Sequence, residues 1–391
     1  MITVSEAFSI LQNNIPTPQE ENCSLFEARK KILSQSILSP INMPPFRQSA
    51  MDGYVVCLHE SLSYQIIGEI KAGDAESFVL QPGQAVKIFT GAPVPDTAQA
   101  MIPIERVAVE QSELLLQSKP RIGDNIRPIG EQIKRGELAL EKGTQLDAAA
   151  IGFLAALGIT KVPVFKKPSV GIVVTGNELL APGLPLTYGK VYESNGVMLE
   201  AALLDAFYQE VTLYSVKDDF VSTKNTLQTA ISQHEVVLVS GGISVGDYDF
   251  VAQALQELQV RTLFHKVNQK PGKPLFAGKV NEKMIFALPG NPAACLTCFY
   301  VYVLPTLQRI SGQLTQYEAI NSLPLGHCFS VNNSRSQFLK AKTMNGKVAI
   351  LSHQASSMLN TFSTANALVY VGEGDYELKE NELVTVYWLK N

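Results

Sequence analysis

Acidic residues stand just past several apolar runs in the middle of the chain. Glu178 closes TGNE after residues 169–176, Asp218 follows residues 211–216, and Asp247 and Asp249 follow residues 236–239 in VVLVSGGISVGDYD. Carboxylates gathered from separate loops hold a hard cation. Mg²⁺ fits best, because it takes few protein ligands and completes its shell with water and phosphate. Local roles are open to the same residues: Asp218 as a turn former, Glu178 as a first-turn helix charge, Asp249 as a helix N-cap. Their joint placement at strand ends favours the functional reading. Ser240-Gly241-Gly242 interrupts the same stretch, and its glycines let the backbone turn sharply and approach a ligand closely. Opposite charge comes from Lys266, Lys270 and Lys273 in HKVNQKPGKP. Lysine is a compact cation suited to phosphate or another oxyanion, although a solvated basic hairpin would look the same. The segment is not a Walker A loop, since Gly272-Lys273 is followed by proline. Asn291 and Pro292 in LPGNP fit an N-cap and first helical position. Amides at that helix start, or after Ser194-Asn195, could bind an anion, but capping alone explains both. In the first half, Asp52 in SAMDGY and Thr90 in KIFTGAP are polar residues at turns, and spacing assigns them no role.

These residues need elements to carry them. Residues 169–176, VTLYSV, VVLVS, TLFHKV and KMIFAL read as strands, some of them unalternating apolar runs that suit burial on both faces. Between them lie helical patterns at 195–207, 223–232, 251–258 and 292–304. That alternation predicts a doubly wound parallel α/β sheet, whose ligands bind beyond the carboxyl ends of the strands. Residues 3–14 and 25–38 read as amphipathic helices, and 146–157 as a helix ended by Gly158. Short strands and turns fill the stretch to about residue 140 and the tail from about 316. The expected organisation is a discontinuous helical domain (1–40 and 141–166) with an inserted β domain (41–140). An α/β domain (167–314) and a C-terminal β-barrel-like domain (315–391) follow.

Composition narrows the class. The chain has 391 residues, 46% hydrophobic and 17% charged, with a net charge of −4. That is the composition of a multidomain globular protein with no bias towards nucleic acid. No basic-then-apolar leader opens the sequence and no apolar run reads as long enough to span a bilayer, which points to the cytoplasm and away from membranes. Five scattered cysteines make no disulfide framework. Cys295 and Cys298 form a CxxC inside an apolar run and read as core thiols.

Taken together, PPFRQSAMDGYVV, GEIKAGD, KIFTGAPVP, IRPIGE, GIVVTGNEL, SGGISVGDYDF, KPGKPLFAG and LPGNPAA resemble, in order over nearly the whole chain, the molybdopterin molybdenumtransferase family, which includes the gephyrin E domain. The resemblance implies an elongated homodimer whose active site lies between the α/β domain of one subunit and the β insert of the other. Family acids fall on Asp52, Glu178, Asp218 and Asp249, with Thr90 in the insert. The lysines fall on Lys266, Lys270 and Lys273, and Ser240, Gly241, Gly242 and Asn291 line the anion site. Gln132 and Gln337 depart from the acids common at those positions.

The implied reaction inserts molybdate into the dithiolene of adenylylated molybdopterin and releases AMP. Mg²⁺ would be held by Glu178, Asp218 and Asp249, and a molybdopterin adenylyltransferase would be a contact. The alternatives are that adenylyltransferase activity itself, or a non-catalytic scaffold as in gephyrin. The inserted β domain and the tail speak against the first, and the retained acids against the second.

Overall fold

The computed structural model describes residues 1–74, 78–242, 250–318 and 321–389. The chain forms two compact units. One comprises Met1–Glu21, Lys30–Ile32 and Val164–Asn391, the other Asn22–Arg29 and Leu33–Pro163.

The first unit is built on a six-stranded sheet. Its strands are β1 (Val170–Thr175), β2 (Val211–Val216), β3 (Val236–Ser240), β4 (Arg261–His265), β5 (Phe276–Val280) and β6 (Lys283–Leu288), in spatial order β2-β1-β3-β6-β5-β4. The pairs β1–β2, β1–β3 and β3–β6 are parallel, while β5 is antiparallel to both β6 and β4. All strands but β5 therefore run in one direction. The expectation of a wholly parallel sheet is corrected by a hairpin: Val280 pairs with Lys283 across Asn281-Glu282, and Asn281 adopts φ +51°, a conformation asparagine tolerates in tight turns.

Side chains alternate between two cores, as the strand period of two requires. Val170, Ile172, Val174, Val236 and Leu238 pack with Leu199 and Leu203 of the helix Asn195–Asp205. Val173, Val237, Val239, Ile285 and Ala287 pack with Leu227 and Ala230 of Phe220–Gln233 and Val251 and Leu255 of Phe250–Glu257. The chain thus winds to one face after β1 and to the other after β2. The crevice this opens lies beyond Thr175 and Ser240, at the reversal of strand order.

The helix Pro292–Cys298 continues through a π segment, Phe299–Val303, into Leu304–Ile310. Contrary to the sequence reading, this 19-residue helix is long and apolar enough to cross a bilayer, but 78% of that window is buried inside the protein. Its apolar surface is spent on the core.

Lys167, just before β1, sits at the carboxyl end of Asn195–Asp205 and donates to the carbonyls of Ala206 (3.1 Å) and Phe207 (2.9 Å). Its ammonium lies 4.6 Å from the Tyr208 ring centre. It is a cation placed where the helix dipole is negative. Burial, with repulsion from Lys31 and Lys30, brings its pKa down from 10.5 to about 8. Between about pH 8 and 10.5 the unfolded chain holds a proton there that the folded chain has released, so stability rises with pH through that window. Urea midpoints at pH 7 and pH 10 should show the parent gaining about 1–3 kcal/mol over Lys167→Met. An unchanged difference would refute the depressed pKa.

The N-terminal helix Val4–Gln12 opens with a capping box between Thr3 and Glu6 and buries Val4, Ala7, Phe8 and Leu11. The tail forms a second sheet around its own core, which includes Leu339, Ala341, Val348, Val369 and Val386. Its strand path is closed by a bridge between Leu325 and Val348, so the barrel-like expectation fits its topology.

In the second unit the sheet order is Ala100–Pro103, Gly53–Val56, Gln84–Ile88, Ser63–Ile70, Glu113–Leu116, Val107–Glu110. Asp147 caps the helix Ala148–Ala156, and Gly158 follows with φ +77°. Residues 25–38 hold no helix, contrary to the sequence reading. Their backbone is spent on distant partners: Leu33 donates to Thr144 and Ser34 to Pro163.

Candidate active site

Loops leaving β1, β2, β3, β4 and β6 share one rim of the sheet, and the first two are laced together. Thr175 Oγ1 donates to Asp218 Oδ1 (3.3 Å), the Asp218 amide donates to Asn177 Oδ1 (3.2 Å), and Asn177 Nδ2 returns a bond to the Asp218 carbonyl (3.4 Å). Glu178 folds back over Gly176, whose missing Cβ would lie 2.9 Å from each carboxylate oxygen. Asp218 is half-buried and Glu178 exposed. The helix after β2 is capped by the neighbouring Asp219, which accepts from the Ser222 amide, so capping leaves Asp218 uncommitted. Asp247 and Asp249 lie outside the described residues. Among the described residues no group of three or more His, Cys, Asp or Glu is gathered tightly enough to hold a metal. Glu178 and Asp218 nonetheless supply the hard oxygen donors that suit Mg²⁺, which needs few of them.

At the crevice, Gly241 and Gly242 have φ +91° and +64°. A Cβ on Gly241 would strike the Thr175 carbonyl oxygen, and one on Gly242 would lie 2.6 Å from Val251. Gly241 is required by the close approach of the Thr175 backbone, Gly242 by the packed side chains of Val251 and Thr175, and both by their positive φ. Ser240 Oγ accepts from Asn195 Nδ2 (2.8 Å), which also donates to the Gly290 carbonyl (2.8 Å). This amide ties the ends of β3 and β6 together. Asn195 Oδ1 is buried and has no partner among the described residues. Sequence reading placed Asn195 only at a helix start; Glu193 Oε1, and not the Ser194 side chain, takes the Gly196 amide there.

Asn291 occupies the N-cap position of Pro292–Cys298 but makes no side-chain cap. Its Nδ2 donates to Ser356 Oγ (3.1 Å), and the Ala293 amide donates to the Ser356 carbonyl (3.1 Å). A loop from the tail thus covers part of the helix start expected to bind an anion. Lys340 braces that loop: its buried ammonium donates to the carbonyls of His353 (2.8 Å), Ala355 (3.3 Å) and Met358 (2.9 Å), and burial lowers its pKa.

The three lysines follow β4. Lys266 adopts φ +72°, and Lys270 and Lys273 are exposed. Between them Gly272 is buried, with its missing Cβ 2.5 Å from Cys298 Sγ and 3.7 Å from the Ala294 carbonyl oxygen. The loop therefore lies against the helix that Asn291 begins. Cys295 and Cys298 are buried, and burial pushes the Cys295 thiol up to about 12. Neither offers a thiolate near neutrality.

In the second unit the structure brings Asp52 and Thr90 together. Asp52 Oδ1 accepts from Thr90 Oγ1 (2.6 Å) and from the Thr90 amide (2.7 Å). These bonds, the hydroxyl's first, hold the carboxyl below the usual range.

Comparison with known proteins agrees along the chain. Residues 2–158 match the MoeA N-terminal region (domains I and II), 171–309 the probable molybdopterin binding domain, and 323–389 the MoeA C-terminal region (domain IV). A molybdopterin molybdenumtransferase of Staphylococcus epidermidis is 31% identical over 98% of this chain and 95% of its own length. One from Haemophilus influenzae is 32% identical over 99% and 98%. The crystal structure of a molybdopterin biosynthesis moeA protein from Pyrococcus horikosii superposes with a TM-score of 0.83 at 31% identity, covering 100% of both chains. By sequence over nearly its whole length and by fold, the chain belongs to the molybdopterin molybdenumtransferase family.

Proposed function

We propose that the chain, working in the cytoplasm, transfers molybdenum from molybdate to the dithiolene of adenylylated molybdopterin and releases AMP. The observation that supports this reading is the shared rim, along which the acids and the glycine crevice follow neighbouring strands β2, β1 and β3, and the lysines follow β4 at the far edge. From β2 to β6 the rim spans three strand spacings, about 14 Å, enough to lay out a pyrophosphate-linked ligand. Mg²⁺ would be held by Glu178 and Asp218, with Asp249 as third carboxylate, and supplies neutralisation of phosphate charge.

The chain's own residues do the rest. Thr175 and Asn177 fix the orientation of Asp218, so its charge is placed before substrate arrives. Gly241 and Gly242 let the phosphates approach the backbone. Asn195 Oδ1 accepts a hydrogen bond from the pterin, relieving a buried acceptor that otherwise lacks a donor. Lys266, Lys270 and Lys273 hold molybdate and phosphate, and Asn291 lies at the same anion site. Asp52 and Thr90 act from the partner subunit of a homodimer. The substrate is delivered by a molybdopterin adenylyltransferase.

Purified protein mixed with adenylylated molybdopterin, Mg²⁺ and molybdate should release AMP. Background release with competent substrate would refute the reading. The shared site has its own test. Asp52→Asn and Asp218→Asn chains, each inactive alone, should regain about a quarter of parental activity when unfolded and refolded as a mixture, because half the dimers then carry one intact site. No recovery would place both residues in one subunit's site.

A further inference from the structure

Gln269 is fully buried, in a loop whose neighbouring Lys270 is exposed. Burying an amide is costly unless its groups are bonded, and here they are. Nε2 donates to the Pro271 carbonyl (3.1 Å) and the Gly272 carbonyl (3.2 Å). Oε1 accepts from the hydroxyl of Tyr302, which is itself buried in the core helix. One side chain thus grips two consecutive carbonyls of the segment between Lys270 and Lys273 and fastens them to a helix that cannot move without disrupting the core. Outside this grip, Lys270 is held by backbone pairing of Gln269 and Lys270 with Ser336 and Gln337, and the Lys273 carbonyl accepts from the Val267 amide. The weakly donating Cys298 thiol also lies 3.9 Å from the Gly272 carbonyl oxygen.

We infer that Gln269, anchored by Tyr302, is a positioning residue that sets where Lys270 and Lys273 present their charge to the oxyanion substrate. The inference rests on the proposed role of those lysines. A displacement near 1 Å of a binding group is enough to cost up to about 100-fold in rate, and an unfastened loop permits that much.

The test compares steady-state kinetics for molybdate in Lys273→Ala, Gln269→Leu, Tyr302→Phe and the double variant Gln269→Leu/Tyr302→Phe, with melting temperatures. Gln269→Leu should raise KM for molybdate about tenfold or more, with a smaller change in kcat, and lower the melting temperature, since it strands the Tyr302 hydroxyl. The double variant removes the stranded hydroxyl but leaves the Pro271 and Gly272 carbonyls without that donor, so its stability should recover in part while KM stays high. If KM recovers together with stability, Gln269 serves only folding and the inference is overturned. If Lys273→Ala raises KM but Gln269→Leu does not, the lysines act without this anchor and the inference is again overturned. If Lys273→Ala leaves KM unchanged, the lysine reading itself fails.

Discussion

Asp218→Asn should slow AMP release from the adenylylated substrate by about 10²–10³-fold while shifting the melting temperature by no more than about 2 °C. Asparagine has the same shape. Its oxygen still accepts from Thr175 Oγ1, and the backbone bonds to Asn177 are untouched. Only the negative charge leaves, and with it one hard donor for the Mg²⁺ proposed to neutralise phosphate. The Mg²⁺ concentration giving half-maximal rate should rise in the same variant. Single-turnover AMP release across a Mg²⁺ titration checks both. A rate within about threefold of the parent, under 1 kcal/mol of barrier, would show that Asp218 is a spectator.

Gly241→Ala should cost stability as well as activity. The backbone there has φ +91°, which a side chain opposes by about 1–2 kcal/mol. The added methyl also meets the Thr175 carbonyl oxygen, and overpacking of that kind costs about 1–3 kcal/mol more. Urea unfolding should therefore show a loss of about 2–5 kcal/mol. Because Thr175 is the residue that bonds Asp218, the shift that relieves the clash also moves the acid. A loss below about 1 kcal/mol would mean that the loop takes another path at little cost.

Much of this was legible because the central strands are so uniform. VGIVVT and VVLVS admit few other structures, and their ends point to Glu178 and the glycine loop, as the end of VTLYSV does to Asp218. The reading failed where long-range bonds overrode local pattern. Residues 25–38 have helical periodicity, yet Leu33 and Ser34 give their amides to Thr144 and Pro163, partners no local window contains. β5 was hidden because the lysines and prolines before it drew the segment towards a loop; its trace was Asn281 at a two-residue turn. Asn291 has the look of a cap, but the carbonyl of Ser356, far along the chain, takes the Ala293 amide, and Asn291 Nδ2 donates to the Ser356 hydroxyl. Asn195 carried no signal beyond its place at a helix start. Its role as a bridge between Ser240 and Gly290 exists only once β3 and β6 are neighbours.

The seam between the tail barrel and the α/β domain limits how this architecture can be recombined. Lys270 lends its strand edge to residues 336 and 337, and Ser356 closes over the amide of Ala293. A barrel grafted from a distant relative would have to bring a matching edge and a loop of matching reach, or leave the proposed anion site open. The C-terminal segment is therefore no exchangeable module, and its sequence is free to drift only on the strands and turns that face away from that seam.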